Sequence, residues 1–243
     1  MKGVILAGGL GTRLRPLSWA TNKHLLPVFD KPMVFYPIQT LVNAGITDIM
    51  IVTGGPHAGH FLRVLKNGKG LGIKHLEFMY QENEGGIAEA LDLAKEFADG
   101  DSVTVILGDN CTDADISKAV KSFAGGATVF LKTVHDPKRF GVPVFDNNKQ
   151  IIRIDEKPKK PKSNYAVTGL YIYDTKVFDY IREIKPSRRG ELEISDVNTK
   201  YAQAGTLNWH ELKGYWSDAG TFESLFRTGE FWAKKSSKGK GKK

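Results

Sequence analysis

The chain of 243 residues has almost no cysteine and no long apolar run. Cys111 is the only cysteine, so no disulfide can form within the chain. Scarce cysteine is typical of proteins in reducing compartments, and we expect a cytoplasmic location. No stretch of the sequence approaches the roughly 20 consecutive apolar residues that a membrane-spanning helix needs. The composition therefore excludes both a disulfide-stabilised secreted fold and insertion into a membrane.

Acidic residues are fewer than basic ones, and the excess of basic residues lies at one end. Six lysines and no acidic residue fall within residues 234–243, and without these six the formal net charge drops from +8 to +2. A segment of Lys, Gly and Ser cannot bury apolar surface, so we expect a disordered Lys-rich tail. Because the rest of the sequence has no basic face interleaved with aromatic residues, no specific nucleic-acid partner is expected.

The remaining composition is that of a globular protein, with 41% hydrophobic and 26% charged residues. Short apolar runs at residues 4–7, 49–52 and 103–107 have the length of buried strands. Between them, apolar residues keep helical spacing at 35–42 and 87–97. Buried strands that alternate with helices require crossover connections. This order predicts an α/β fold with a mostly parallel, Rossmann-like sheet flanked by helices.

The second half of the sequence is richer in strand signals. Residues 142–145 and 151–155 are joined by turn-forming residues and predict a hairpin. A strand is expected at 166–173 and helices at 176–181 and 194–203. The last expected helix, 221–232, has Thr221 as its N-cap. We therefore expect one domain over residues 1–233 with a β-rich insertion, followed by the tail at 234–243.

A glycine loop follows the first predicted strand. Gly8, Gly9 and Gly11 would let a phosphate approach the backbone, whose free N–H groups can bind an anion. The dinucleotide fingerprint G-x-G-x-x-G is incomplete, because Leu14 stands where its third glycine would be. The P-loop pattern has no match in the sequence. The loop thus indicates phosphate binding, but it is neither a dinucleotide-binding loop nor a P-loop.

Three cations come shortly after this loop, namely Arg13, Arg15 and Lys23. Guanidinium groups and an ammonium group together can neutralise several oxygens of a triphosphate. The alternative is that they are unrelated surface charges.

Two aspartates end predicted strands. Asp109 follows the apolar strand 103–107, and Asp218 follows a short strand at 214–216. The carboxyl ends of strands are where open α/β sheets bind ligands. Either aspartate alone could be a turn or capping residue. Together with phosphate oxygens, two carboxylates would suit Mg²⁺, which prefers hard oxygen ligands.

The motif G-G-x-G-T-R-L followed by K-H-L-L-P resembles the signature of the sugar nucleotidyltransferases, also called nucleoside-diphosphate-sugar pyrophosphorylases. The resemblance continues in order through L-G-D-N at 107–110, E-K-P at 156–158, R-G-E-L-E-I at 189–194 and W-S-D-A-G at 216–220. Within this family, the sequence is most similar to the enzymes that transfer a thymidylyl group to glucose 1-phosphate.

This resemblance implies roles for specific residues. The residues that it assigns to the nucleotide site are Leu6, Ala7, Gly8, Gly9, Gly11, Thr12, Gln81 and Gly86. The residues that it assigns to the sugar-phosphate site are Gly141, Glu156, Lys157, Val167, Arg189 and Glu191. The implied catalytic cations are Arg13, Lys23 and Lys157, and the implied Mg²⁺ ligands are Asp109 and Asp218.

The implied reaction joins a nucleoside triphosphate, expected to be dTTP, to a sugar 1-phosphate, expected to be glucose 1-phosphate, and releases pyrophosphate. The sugar phosphate would attack the α-phosphorus in line, so the protein needs to position two polyanions rather than supply a covalent nucleophile. Two alternatives stay open: a UTP-dependent enzyme, and a non-catalytic relative that binds a nucleotide sugar. We expect a monomer or a small homo-oligomer.

Overall fold

The structure is a computed structural model that describes residues 1–240. Its strands are β1 (Lys2–Ala7), β2 (Pro27–Val28), β3 (Lys31–Pro32), β4 (Asp48–Gly54), β5 (His75–Gln81), β6 (Val103–Leu107), β7 (Asn110–Thr112), β8 (Ala127–Thr133), β9 (Gly141–Phe145), β10 (Ile151–Glu156), β11 (Tyr165–Tyr173), β12 (Leu207–Glu211) and β13 (Trp216–Asp218). Its α-helices are α1 (Leu17–Ala20), α2 (Phe35–Asn43), α3 (Gly59–Leu65), α4 (Ile87–Asp92), α5 (Lys95–Ala98), α6 (Ser117–Ser122), α7 (Val177–Glu183), α8 (Ile194–Gln203) and α9 (Phe222–Lys240).

A seven-stranded sheet in the order β12-β8-β11-β6-β1-β4-β5 forms the centre of the fold. The pairs β1–β4, β1–β6, β4–β5 and β8–β12 are parallel, whereas β11 runs antiparallel to both β6 and β8. The predicted α/β class with a mostly parallel sheet is confirmed. Parallel neighbours place the carboxyl ends of β1, β4 and β6 at one edge of the sheet, where ligands bind in such folds.

Hydrophobic packing covers both faces of this sheet. Val4 and Leu6 of β1 belong to one core cluster, and the alternate residues Ile5 and Ala7 belong to another. Helices α4, α5, α7 and α8 contribute to the first cluster, and α2 and α3 to the second. Because both faces are buried, β1 reads as a continuous apolar run, which explains why the sequence predicts it well.

The expected β-rich insertion is present. β9 and β10 form an antiparallel hairpin in which Glu156 lies opposite Gly141. The turn between them is stabilised by Asp146, whose carboxylate accepts from the backbone N–H of Asn148 at 2.9 Å. Helix α8 packs on β10 and fixes the hairpin against the rest of the fold. The end of this hairpin thereby carries Glu156 and Lys157 toward the main sheet.

The C-terminal segment differs from the expected disordered tail. Helix α9 begins after Thr221, whose Oγ1 accepts from Ser224 N at 3.2 Å as predicted for its N-cap, but it continues through Lys240. Lys235 Nζ lies 2.7 Å from Asp113 Oδ2 and 5.1 Å from the centre of the Trp232 ring. Extending an existing helix requires no new nucleation, and these contacts hold its last turns.

The expectation of disorder is therefore wrong for residues 234–240, while 241–243 lie outside the described residues. Helix α9 runs across the expected boundary at residue 233, and the single-domain assignment stays a prediction. Over residues 1–240, no helix combines the length and the apolar character that crossing a membrane requires.

Candidate active site

The glycine loop lies directly after β1, whose last two residues are Leu6 and Ala7. Gly9 and Gly11 have φ angles of +87° and +61°, which side chains other than glycine rarely adopt. A Cβ atom at Gly9 would have no neighbour within 4 Å, so the loop borders open space. Thr12 then begins a 3₁₀ turn that carries Arg13. The sequence thus places a glycine-rich loop beside open space at the carboxyl end of β1.

Pairing of β7 with β13 brings the two predicted metal ligands together. Asp218 lies opposite Asn110 in this antiparallel pair, and the N–H of Ala219 donates to the backbone oxygen of Asp109 at 2.9 Å. Asp109 is buried and Asp218 is 22% exposed at its side chain. Residues more than 100 positions apart in sequence therefore share one site.

Three cations surround these aspartates. Lys23 Nζ is 2.6 Å from Asp109 Oδ2, and Arg139 Nη2 is 3.4 Å from Asp218 Oδ2. A Cβ atom at Gly220 would lie 3.1 Å from Arg13 Nη2 and 3.5 Å from Asp109 Oδ2, so the Arg13 guanidinium and the Asp109 carboxylate border the same glycine. Sequence reasoning missed Arg139, although it stands two residues before the family-matched Gly141.

The two carboxylates experience opposite electrostatic conditions. Burial alone would raise the pKa of Asp109, but the Lys23 ammonium holds that pKa well below its usual range. Burial and the adjacent charge of Asp109 raise the pKa of Asp218 to about 6. Two carboxylates with opposed pKa shifts in one cleft are typical of a functional site.

These residues fit a magnesium ion. Within residues 1–240, no three His, Cys, Asp or Glu side chains meet in a group that would hold a metal through protein ligands alone. Mg²⁺ usually binds through one or two carboxylates and completes its octahedron with water and substrate phosphates. Asp109 and Asp218 supply such a pair, and the negative charge that raises the pKa of Asp218 would favour a cation there.

A hydrogen-bonded unit holds Lys23 in front of Asp109. The Oδ1 atom of Asn22 accepts from the backbone N–H of His24 at 2.9 Å and lies 2.8 Å from His24 Nδ1, while its Nδ2 donates to Ala7 O at 3.3 Å. Burial and the adjacent Lys23 charge lower the pKa of His24 to about 3, so its ring is neutral. The segment after the glycine loop is thereby attached to the end of β1.

The predicted sugar-side residues meet at the end of the small hairpin. Ser195 Oγ donates to Glu156 Oε2, and Lys157 Nζ and Arg189 Nη2 lie 3.5 and 3.7 Å from Glu156 Oε1. A Cβ atom at Gly141 would be 3.5 Å from Glu156 Oε2. A glycine at this position therefore leaves room beside the carboxylate.

Arg189 is more heavily paired than a phosphate-binding residue is expected to be. Its guanidinium lies 2.8 Å from Glu193 and 3.3 Å from Glu191, in addition to its contact with Glu156. Val167 is buried on β11, at the point where the pairing of β11 with β8 changes register. These residues border the region between the hairpin and the aspartates.

The predicted base-reading residues lie together on the other side of the loop. Gln81 ends β5, and its Oε1 would be 2.8 Å from a Cβ atom at Gly8. Gly86, with a φ of +102°, precedes α4. Gln81 Nε2 donates to Glu89 Oε1 at 3.1 Å. Gly8, Gln81 and Gly86 thus form one corner of the site.

Arg15 lies elsewhere. Together with Gly9, Leu10, Trp19 and His57, it lines a cleft of about 170 Å³ beside the glycine loop. Of the three cations that follow the loop in sequence, the structure brings Arg13 and Lys23 to the aspartates, and Arg15 faces this cleft.

The chain is similar to known proteins over most of its length. The sequence model of the family described as Nucleotidyl transferase matches residues 2–235. A glucose-1-phosphate thymidylyltransferase of Neisseria gonorrhoeae is 45% identical over 237 residues, which cover 95% of this chain and 82% of the relative. The enzyme of the same name from Mycobacterium tuberculosis (strain ATCC 25618 / H37Rv) is 42% identical over the same shares.

Two solved structures are also similar. A Bacillus anthracis protein, assigned as a glucose-1-phosphate thymidylyltransferase and solved with a sucrose, superposes with a TM-score of 0.90 at 50% identity, covering 95% of this chain and 94% of that one. A UDP-glucose pyrophosphorylase complexed with UDP-glucose gives a TM-score of 0.83 at 22% identity, over 96% of this chain and 98% of that one, and shows the shared fold. The resemblance that the motifs carry is confirmed: the chain belongs to the nucleotidyl transferase family.

Proposed function

We propose that this protein transfers a thymidylyl group from dTTP to glucose 1-phosphate, forming a nucleotide sugar and pyrophosphate. The observation that carries the proposal is that the β7–β13 pairing brings Asp109 and Asp218 into one cluster with Lys23 and Arg13. This charged cluster lies between a glycine loop suited to a triphosphate and a carboxylate suited to sugar hydroxyls. The names of the relatives at 42–45% identity favour the same substrates.

The nucleotide would bind along the glycine loop. Backbone groups at Leu6, Ala7, Gly8, Gly9, Gly11 and Thr12 would contact it, with Gln81 and Gly86 at the base. Backbone N–H groups in such a loop bind phosphate without needing a charged side chain. Arg13 would neutralise the departing pyrophosphate, because the turn that carries it directly follows the glycine loop and its guanidinium borders Gly220 next to the aspartates.

Catalysis would rest on positioning and charge neutralisation. Lys23 and Lys157 would neutralise the attacked and the attacking phosphate groups. Asp109 and Asp218 would hold Mg²⁺, which when bound supplies positive charge to the phosphate oxygens. Cys111 is buried next to Asp109, and burial raises its thiol pKa well above the usual range, so it does not offer a thiolate nucleophile. A direct in-line transfer needs no nucleophile from the protein.

Glucose 1-phosphate would occupy the region at the end of the hairpin. Glu156 would accept hydrogen bonds from sugar hydroxyls, held for this task by Ser195. Glu191 would accept from hydroxyls as well, and the backbones of Gly141 and Val167 would border the ring. Arg189 would bind the sugar phosphate only if that phosphate displaces the carboxylates now paired with it. We further propose that the enzyme acts in the cytoplasm as a monomer or small homo-oligomer.

The test is pyrophosphate release measured across a grid of triphosphates and sugar 1-phosphates with and without Mg²⁺. We expect dTTP with glucose 1-phosphate to give the highest kcat/KM, and only with Mg²⁺. UTP is the second candidate, because thymine and uracil present the same pyrimidine edge to Gln81 and differ by a methyl group, worth about 10- to 200-fold. Folded protein that turns over no combination would contradict the proposal.

A further inference from the structure

The amide of Gln81 faces two groups that can only accept hydrogen bonds. Its Nε2 lies 3.1 Å from Glu89 Oε1 and 3.5 Å from the backbone oxygen of Gly86. Gln81 is 9% exposed, so water has little access to compensate for a wrong pairing. A carboxylate and a carbonyl have no proton to donate. The NH₂ group must therefore point toward Glu89.

The opposite end of the amide is fixed as a consequence. Gln81 Oε1 faces Gly8, where an added Cβ atom would lie only 2.8 Å away. Because Gly8 has no side chain, no Cβ atom at position 8 covers this oxygen on the side of the glycine loop. The group offered to a base at this corner is then a hydrogen-bond acceptor and not a donor.

Gly85 makes the Glu89 arrangement possible. A Cβ atom at Gly85 would collide with the Glu89 carboxylate, so a side chain at position 85 would require that carboxylate to leave its present position. Glu89 lies in the first turn of α4, where a negative charge is favoured by the helix dipole. Two residues outside the predicted site thus determine how Gln81 is oriented.

We propose that Glu89 is a positioning residue that sets base specificity by fixing the polarity of the Gln81 amide. An acceptor at this position pairs with the N3–H of thymine or uracil, whereas N3 of cytosine is itself an acceptor and opposes it. The site therefore takes pyrimidines that carry an imide N–H and rejects cytosine. This inference rests on the proposed function, in which Gln81 contacts the base.

The test compares kcat/KM for dCTP and dTTP in the wild type, in Glu89→Gln and in Glu96→Gln. A glutamine at 89 can donate as well as accept, so the Gln81 amide is free to rotate and present its NH₂ to cytosine. We expect the dCTP-to-dTTP ratio to rise about tenfold or more in Glu89→Gln, the scale of one mispaired hydrogen bond. Glu96 is exposed on α5, and its variant is the matched loss of one charge with no expected change in the ratio.

Glu89→Ala removes the acceptor without adding a donor and should raise the ratio by a smaller factor; it also serves if Glu89→Gln folds poorly. A purely structural role would lower kcat/KM for both nucleotides equally and leave the ratio unchanged, which would overturn the inference. Calorimetric binding of dTMP and dCMP gives a readout that needs no turnover. Wild-type protein that binds dCMP as well as dTMP, or neither, contradicts the role of Glu89, whereas absent turnover with selective dTMP binding contradicts only the proposed function.

Discussion

Asp109 and Asp218 occupy one cluster, yet their opposed pKa shifts predict opposite effects of their charges on stability. Asp109 is paired with Lys23 at 2.6 Å, and neither side chain is more than 15% exposed. The contact of Asp218 with Arg139 is longer, at 3.4 Å, and the pKa of Asp218 is raised by burial and by Asp109. At pH 8 without a divalent ion, the Asp109 carboxylate compensates the buried Lys23 ammonium, whereas the Asp218 carboxylate repels that of Asp109.

Asp109→Asn should therefore lower the free energy of unfolding by about 1–3 kcal/mol, because it leaves the Lys23 ammonium without its partner. Asp218→Asn should raise that free energy by about 1 kcal/mol or more, because it removes one of two repelling charges. Urea unfolding at pH 8 in the presence of a chelator measures both changes in the free energy of unfolding. Equal destabilisation by the two variants would contradict this assignment of charges.

Both variants should lose turnover despite their opposite effects on stability. An amide keeps the shape of the side chain but removes the charge, and we expect kcat to fall by at least about 10²–10³ at saturating substrate and Mg²⁺. Circular dichroism serves as the control for folding. Wild-type rates in either variant would exclude that aspartate from the proposed magnesium site.

His24 gives a prediction about acid stability. Its pKa is lowered to about 3 in the folded protein and is about 6.5 in the unfolded chain. Between these values the unfolded chain binds one more proton, so stability should fall as pH falls, by about 1.4 kcal/mol per pH unit. His24→Gln, which can keep a hydrogen bond to Asn22, should show a flatter profile between pH 6.5 and 4. Parallel profiles for the two proteins would contradict a neutral buried His24.

Glu156 should affect the sugar more than the nucleotide. Glu156→Gln replaces an acceptor by a group that also donates, so the KM for glucose 1-phosphate should rise about tenfold while the KM for dTTP changes little. Asp155→Asn is the matched control, since Asp155 is one residue earlier and pairs with Arg153 at the surface at 2.8 Å. A larger effect on dTTP would place Glu156 in the wrong subsite.

At the scale of elements, the sequence predicted best what local patterns determine. The apolar runs of β1, β4 and β6 and the turn after β9 were identified correctly, because burial on both faces and Asx turns leave local signatures. The helical pattern at 87–97 is divided into α4 and α5, a break that its apolar spacing does not reveal. The pairing of Arg139 with Asp218 spans 79 residues and depends on the assembled fold.

Helix α9 shows the same limit. Residues 234–240 have the composition of a disordered segment, but the preceding helix and the contact between Lys235 and Asp113 keep them helical. The composition of residues 234–240 reveals neither the helix that precedes them nor the contact between Lys235 and Asp113.

Deletion of residues 234–243 should leave kcat and both KM values unchanged. The Lys235–Asp113 pair is partly exposed, so its loss should cost no more than about 1 kcal/mol of stability. Lys235→Gln is the matched control and should account for most of that loss. A truncated protein with reduced kcat would mean that this end of the helix contributes to the site.

At the scale of the whole molecule, the fold brings together charged residues that are distant in sequence. The glycine loop after β1, the aspartates of the β7–β13 pair and the hairpin carrying Glu156 converge at one edge of the sheet. The roles of these residues stay predictions; the structure places Arg15 in a cleft beside the glycine loop and pairs Arg189 with carboxylates. In the proposed function, the protein aligns two polyanions for direct transfer.

The exchange of labelled pyrophosphate into dTTP tests direct transfer most simply. If no nucleotidyl–enzyme intermediate forms, enzyme with Mg²⁺, dTTP and labelled pyrophosphate should show no exchange until the nucleotide sugar product, dTDP-glucose, is added. With that product present, label should enter dTTP at a rate comparable to turnover. Exchange at that rate in the absence of any sugar substrate or product would mean that the protein forms a covalent intermediate, and it would contradict the account.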